Sequence, residues 1–292
     1  MAVFRPKEFI LSSDKGAILE KLNSGGKHAH VIAGGTGFYE LARRGYIPEV
    51  KSVVSIMKLG LSYINSEKDS LRIGATATLQ ELLESEIGDS RGFEALGDAL
   101  REIRPVQVRN VATVGGEVCI SVPIVDLPIA LLACGSSIVI ASLNGKDREM
   151  KLEDFYVDAF LTRLKNGEIV KEVSIPKKEK GHTAFVKIGR TAYDFNLINA
   201  AVSLTLENSS TIGSLSVYLG GIKRIPVRAI EFEKRLWSKI PDEKMIIAAA
   251  EASFAKLNLL PSVHGSSDYK KAILPIILRD CLMKAYERAL QD

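Results

Sequence analysis

The stretch His30-Val-Ile-Ala-Gly-Gly-Thr-Gly-Phe38 joins a short apolar strand to a predicted helix that stops at Gly45. Glycines in such a loop let consecutive backbone N–H groups face one point, which makes an anion-binding nest at the start of a helix. The loop Ala33-Gly-Gly-Thr-Gly37 contains no lysine or arginine, so amides and the Thr36 hydroxyl would hold any phosphate. A tight strand-to-helix turn that binds nothing explains the same residues, and a short glycine motif alone does not separate the two interpretations.

The loop does not fit the standard nucleotide fingerprints. Gly35 and Gly37 match the first half of the dinucleotide motif, but Glu40 occupies its third glycine position. A long charged side chain there would prevent close packing of helix on strand. The chain also has no Gly-Lys-Ser/Thr sequence, which excludes a P-loop.

A second glycine pair lies about eighty residues further along, in Thr113-Val-Gly-Gly-Glu117. Apolar residues typical of a strand precede both pairs, so we expect two strand-end turns. Two amide nests that face each other would clamp a pyrophosphate from both sides. Asp126 follows Glu117 nine positions later and is suited either to accept hydrogen bonds from sugar hydroxyls or to cap a helix.

The order of predicted elements divides the chain into three modules, residues 1–58, 59–176 and 177–292. The first has a helix near residues 15–23, and its strand 30–33, helix 38–44 and second strand 50–57 form a βαβ-like unit. The second includes a capping box at Thr78-Leu-Gln-Glu81 and a hairpin at Asn144-Gly145. It also contains the strands and helices predicted at 70–75, 93–104, 127–133 and 168–175.

The third module is predicted to begin with an antiparallel meander and to end with helices. The predicted strands are 184–188, 197–206 and 214–220, and the predicted helices are 227–236, 242–256 and 269–290. Trp237, taken with Phe232 and Leu236, fits helical spacing and is expected in the core rather than at the cofactor.

Composition excludes several classes of protein. The 292 residues carry a net charge of only +4, which gives no case for nucleic-acid binding. Three scattered cysteines are too few for an iron–sulfur centre and are typical of reduced thiols in a cytoplasmic protein. The N-terminus lacks an apolar secretion segment, and the longest apolar run, 127–133, is too short to span a bilayer. His28 and His30 form a pair without an evident third ligand, so no metal site is expected.

The glycine motifs and the residues around them, taken together, are specific to one protein family. Ala33-Gly-Gly-Thr-Gly37, Gln107-Val-Arg-Asn-Val-Ala-Thr-Val-Gly-Gly116 and Asp126-Leu-Pro resemble, in order and spacing, the FAD-binding subunit of the xanthine dehydrogenase and carbon monoxide dehydrogenase family of molybdenum hydroxylases. Leu219-Gly-Gly-Ile222 with Pro226-Val-Arg-Ala229 resembles that family's C-terminal sheet motif. Ser266-Ser-Asp-Tyr-Lys-Lys271 resembles the start of its last helix.

The resemblance implies an α+β protein: two α/β FAD-binding subdomains of the PCMH type, followed by an α+β domain with an antiparallel sheet and helices. It implies no catalytic side chain and no metal ligand. Ile103 and Phe195 match positions that some relatives place against the flavin ring. The residues it implies at the FAD cofactor are Ala33, Gly34, Gly35, Thr36, Gly37, Ala112, Thr113, Gly116, Glu117, Asp126, Val170 and Lys187.

The resemblance also implies partners and a direction of electron flow. Electrons would pass from a molybdopterin-containing large subunit through a [2Fe–2S] small subunit to the FAD of this chain, and then to an external acceptor. Two alternatives stay open: a stand-alone flavin-dependent oxidase, and an assembly module that has lost its flavin. Glu117, where the family usually has asparagine, is the residue that favours the last one.

Overall fold

The computed structural model describes residues 6–47, 50–85, 87–178, 181–262 and 265–291. The N-terminal residues 1–5, on which the secretion argument partly rests, lie outside these ranges. The helices are α1 (Lys15–Gly25), α2 (Thr36–Arg43), α3 (Leu79–Glu84), α4 (Glu94–Glu102), α5 (Val106–Arg109), α6 (Val114–Cys119), α7 (Leu127–Ala133), α8 (Ile230–Leu236), α9 (Glu243–Phe254) and α10 (Ser267–Leu290). The strands are β1 (Glu8–Leu11), β2 (Ala29–Ile32), β3 (Ser52–Ser55), β4 (Ile64–Ser66), β5 (Ser70–Gly74), β6 (Ser137–Ser142), β7 (Arg148–Lys151), β8 (Tyr156–Asp158), β9 (Leu161–Thr162), β10 (Glu168–Pro176), β11 (Gly181–Ile188), β12 (Ile198–Glu207), β13 (Thr211–Gly220) and β14 (Val227–Arg228).

The chain divides into two compact units, each made of separate stretches of sequence. Unit 1 contains Met1–Leu82, Val106–Ser121 and Ser137–Ile175, and unit 2 contains Leu83–Pro105, Val122–Ser136 and Pro176–Asp292. Helices α4 and α7 therefore belong to unit 2, although the three-module division grouped them with the sheet of residues 59–176. That division stays a prediction about subdomains.

Unit 1 is built on two sheets. Strands β1 and β2 both pair in parallel with β3, which confirms the predicted βαβ unit and adds the unpredicted edge strand β1. The second sheet has the order β4-β5-β10-β6-β7, and its β6–β7 hairpin turns at Gly145, whose φ is 75°. The predicted capping box is present: the Thr78 N–H donates to the Glu81 carboxylate at 2.7 Å, and the Glu81 N–H donates to Thr78 Oγ1 at 3.1 Å.

Unit 2 contains the predicted antiparallel sheet, in the order β11-β12-β13-β14. Its apolar face packs with α8, α9 and α10 in one core that includes Val202, Phe232 and Leu278. Ser266 caps α10 by accepting from the Tyr269 N–H at 3.1 Å, as expected for the start of the last helix. The α+β fold class is thereby confirmed.

The expectation for Trp237 was wrong. Helix α8 ends at Leu236, and Trp237 leaves helical geometry with a ψ of 139°. Its side chain is 63% exposed, whereas Phe232 and Leu236 are fully buried. The helical spacing was read one residue past the end of the helix.

None of the helices in the described ranges is long and apolar enough to span a bilayer.

Candidate functional site

The first glycine loop ends at the uncapped N-terminus of α2. Gly35 is the N-cap residue and has a φ of 77°, a conformation that favours glycine. Glycine at this position provides no side chain to cap the helix, and the structure records no side-chain cap for it among the described residues. The first N–H groups of a helix have no partner within it, so the amides of Thr36 and Gly37 are donors for an anion. The nest predicted from the sequence has the required local structure.

The second glycine pair does not form the predicted turn at the end of a strand. It lies in the first turn of α6, and the residues before it form the short helix α5 rather than a strand. Thr113 caps α6, and the protein itself accepts hydrogen bonds from the amides that follow. These bonds are Val114 to Ala77 O (2.9 Å), Gly115 to Ala75 O (2.9 Å), Gly116 to Thr113 Oγ1 (3.2 Å) and Glu117 to Thr113 O (3.0 Å).

The prediction of two facing amide nests is therefore wrong for the second loop. A helix capped by a threonine side chain and by nearby carbonyls has already satisfied its donors. What Gly115 and Gly116 supply is the absence of a side chain. A Cβ atom on Gly115 would lie 2.7 Å from the Cβ of Ala75, so this glycine lets α6 approach the chain beyond β5.

The two loops are nevertheless in direct contact. A Cβ atom built on Gly34 would lie 1.8 Å from the carbonyl oxygen of Val111, and one on Gly37 would lie 2.2 Å from Ile120 Cδ1. Real Cβ atoms do not approach a backbone carbonyl this closely, so Gly34 is required by the approach itself. Segments about eighty residues apart in sequence thus form one wall.

Both loops line a cavity of about 400 Å³ within unit 1. This volume is within the usual range for a small-molecule site. Ten of the twelve residues implied at the cofactor line it: Ala33, Gly34, Gly35, Thr36, Gly37, Ala112, Thr113, Gly116, Glu117 and Val170. The cavity is also lined by Tyr46, Cys119 and Phe160, which no sequence motif predicted at this site. They lie outside the glycine motifs, and no local pattern marked them.

The described lining of the cavity offers no cationic side chain to an anion. It contains no lysine or arginine, and burial together with the nearby His28 lowers the pKa of His30. Burial raises the pKa of the Cys119 thiol to about 12, so this group is protonated at neutral pH. The Glu168 carboxylate is paired with Arg148 at 2.8 Å, which holds the pKa of Glu168 below its usual value. An anion in this cavity would be held by amides and the helix dipole.

Asp126 and Lys187 lie in unit 2 and form a buried ion pair. Their side chains are each 6% exposed, and Lys187 Nζ lies 2.8 Å from Asp126 Oδ2. The amides of Asn196 (3.1 Å) and Asn199 (2.7 Å) donate to the other carboxylate oxygen. Burial raises the pKa of Asp126, and the charge of Lys187 opposes that rise. Asp126 does occupy the N-cap position of α7, but its side chain does not cap the helix.

The remaining candidates are distributed over both units. Ile103 and Phe195 belong to unit 2, and Phe195 is 57% exposed. His28 ends a short 3₁₀ helix and His30 lies on β2, so the two histidines do not share a strand. Among the described residues, no group of three or more histidine, cysteine, aspartate or glutamate side chains is arranged to hold a metal ion.

The sequence matches two family models that together cover most of the chain. Residues 8–178 match the FAD binding domain in molybdopterin dehydrogenase. Residues 183–285 match the CO dehydrogenase flavoprotein C-terminal domain. The chain belongs to the flavoprotein family of the molybdopterin dehydrogenases.

Relatives of this flavoprotein are similar over nearly their whole length. The glyceraldehyde dehydrogenase medium chain of Sulfolobus acidocaldarius is 27% identical over 91% of this chain and 92% of the relative. Subunit alpha of the 6-hydroxypseudooxynicotine dehydrogenase complex of Paenarthrobacter nicotinovorans is 27% identical over 97% and 95%. The structure of the carbon monoxide dehydrogenase from Hydrogenophaga pseudoflava matches 98% of this chain and 99% of its own, with a TM-score of 0.91 and 24% identity.

FAD is therefore the cofactor of this flavoprotein, and the chain is an oxidoreductase subunit of the medium, FAD-binding type. The cavity fits such a dinucleotide. Its lining includes the start of α2, where the first backbone amides can donate to a diphosphate, and small residues such as Gly34 and Gly116 that leave the backbone accessible to a ligand.

Proposed function

We propose that this chain is the electron-transfer flavoprotein of a molybdenum hydroxylase complex. It would receive electrons from a [2Fe–2S] small subunit, reduced in turn by a molybdopterin-containing large subunit, and pass them to an external acceptor. The observation that carries the proposal is the cavity of unit 1, in which both glycine loops meet at the uncapped start of α2. One relative is named as part of a dehydrogenase complex, and the name of one solved relative mentions a molybdenum cofactor.

The contribution of this chain is to bind and orient the cofactor. When bound, FAD supplies the redox chemistry. The amides of Thr36 and Gly37 would hold the diphosphate through the positive end of α2, together with the Thr36 hydroxyl. Ala112, Thr113 and Gly116 would form the opposite wall, where the small side chains allow close approach.

We propose a different role at the cofactor for each of four further residues. Val170 lines the cavity from β10 and would contact the cofactor through its backbone. Glu117, half-buried in the same lining, would have to direct its carboxylate away from the phosphates. Asp126 would bind the ribityl chain of FAD or the part next to it, and Lys187 would lie near the flavin ring. Since the two form one ion pair, we propose that they act as a unit.

The experiment is to purify the tagged chain from its native source under mild conditions and to measure flavin, iron, acid-labile sulfide and molybdenum. We expect FAD together with iron, sulfide and molybdenum in fixed ratios, carried by two additional subunits. A chain that carries FAD, has no partner and turns over a small alcohol would instead be a stand-alone oxidase. Partners without flavin would identify an assembly module. Either result would overturn the proposal.

A further inference from the structure

Two aromatic side chains that the glycine motifs do not explain line the cavity of unit 1. Tyr46 and Phe160 stack with ring centroids 5.4 Å apart and an interplanar angle of 19°. The residues are 59% and 50% exposed, so neither ring is part of the core. They line the same cavity as Gly35 and Val170. An exposed stacked pair beside an anion-binding loop is an arrangement suited to a planar ligand.

The backbone that carries Phe160 is strained. Phe160 has a φ of 63°, a left-handed conformation that is uncommon for a bulky residue. It is held there by Ser121, which has a φ of 48° and accepts from the Phe160 N–H at 2.7 Å. The Ser121 hydroxyl in turn donates to the Asp158 carbonyl at 2.9 Å. Two strained residues thus hold each other in place.

Folding stability does not account for a phenylalanine at this position. The turn between β8 and β9 would be less strained with glycine, and the phenylalanine ring is half exposed. Strain that serves no packing purpose occurs mainly at ligand sites. We therefore infer that phenylalanine occupies this position because its ring contacts a ligand.

We propose that Tyr46 and Phe160 form a stacking platform for the planar heteroaromatic ring at one end of FAD. The two rings are already within stacking distance of each other, so the ligand ring would lie on the outer face of the pair rather than between its members. Ring stacking needs no charge, which suits a described lining without lysine or arginine. This inference rests on the proposed cofactor site. FAD has two planar heteroaromatic rings, adenine at one end and isoalloxazine at the other, and either could stack on this pair.

The test is to measure the affinity of the apoprotein for FAD, FMN and ADP in three variants. Phe160→Gly removes the ring and relieves the strain, so the fold is kept. Phe160→Trp keeps a stacking surface. Phe9→Ala is the matched control, because Phe9 is a 61% exposed phenylalanine of unit 1 that does not line the cavity.

We expect Phe160→Gly to weaken FAD binding about tenfold without lowering Tm, as base–aromatic stacking would predict. Phe160→Trp and Phe9→Ala should bind FAD within about twofold of the parent chain. If adenine stacks on the pair, Phe160→Gly weakens ADP and spares FMN; if the isoalloxazine ring does, the pattern is reversed. Unchanged FAD affinity in Phe160→Gly would overturn the inference while leaving the cofactor site intact. Equal losses for FMN and ADP would also overturn it, since they would indicate a damaged phosphate site. If the parent chain does not bind FAD, the cofactor site itself is refuted.

Discussion

The carbonyl oxygen of Val111 occupies the space where Gly34 would carry a side chain, 1.8 Å from the position of a Cβ atom. This contact joins two segments that are distant in the chain and forms one wall of the cavity in unit 1. The sequence predicted that the two glycine loops come together around one ligand, and the structure does bring these loops into contact.

Gly34→Ala should therefore destabilise the protein more than Gly37→Ala. The methyl group at position 34 meets a backbone carbonyl, whereas at position 37 it meets the tip of the Ile120 side chain, which can rotate. We expect Gly34→Ala to lower the free energy of unfolding by about 2–3 kcal/mol or more, as overpacking does. Gly37→Ala should cost less than about 1 kcal/mol. Urea unfolding of both apoproteins gives the comparison, and equal losses would show that the loops are not fixed against each other.

Gly116→Leu should reduce FAD affinity with little effect on stability. Gly116 is exposed to the cavity, and its Cβ would meet only the capping oxygen of Thr113, at 3.0 Å. The matched control is Gly16→Leu, since Gly16 is exposed in the first turn of α1 and its Cβ would lie 3.2 Å from the capping oxygen of Asp14.

We expect a loss of at least about tenfold for Gly116→Leu in a titration of apoprotein with FAD, because a leucine side chain would occupy the ligand's space. Gly16→Leu should bind FAD normally. If both variants bind FAD equally well, Gly116 does not face the cofactor.

The pair Asp126–Lys187 should be strongly coupled. Lys187→Met leaves a buried carboxylate without its cation, which typically costs about 3–5 kcal/mol. Asp126→Asn together with Lys187→Met should cost less than the sum of the two single variants. Lys234→Met is the control, because Lys234 pairs with Glu231 on the surface, where both side chains are more than 60% exposed and solvent screening leaves such a pair with little effect on stability. Additive effects in a double-mutant cycle would contradict the pairing.

The acid stability of unit 2 should depend on Asp98. Burial would raise the pKa of this carboxyl, but hydrogen bonds from Arg288 (2.8 Å) and Lys284 (2.9 Å) outweigh burial and hold the pKa below its usual value. A lowered pKa in the folded state contributes stability above the unfolded-state pKa of about 3.9, and that contribution is lost as the pH falls. The gap in unfolding free energy between the parent and Asp98→Asn should be largest near neutral pH and should shrink below about pH 4. A gap that is constant with pH would contradict this account.

Local signals in the sequence predicted local structure well. The reciprocal bonds of Thr78 and Glu81, the Ser266 cap of α10 and the turn at Gly145 each depend on residues within four positions of one another. The parallel βαβ unit and the antiparallel meander followed from the apolar periodicity. Ten of the twelve proposed cofactor residues line one cavity because the motifs that identified them form its walls.

The errors and omissions have physical causes that local sequence patterns do not show. Helices α5 and α6 are only four and six residues long, too short for a 3.6-residue period to show, so their apolar residues were read as strand. For the same reason the satisfied amides around Gly116 were taken as free. Phe160 could not be identified from the sequence, because its position is set by a bond to Ser121, 39 residues away. Long-range contacts of this kind leave no local pattern.

The most direct test of the central claim is a crystal structure of the chain with FAD bound. We expect the diphosphate to lie within hydrogen-bond distance of the Thr36 and Gly37 amides, with Gly116 on its other side and no contact from the amides of Val114 or Gly115. A diphosphate bound outside the cavity of unit 1, or held mainly by the α6 amides, would contradict it.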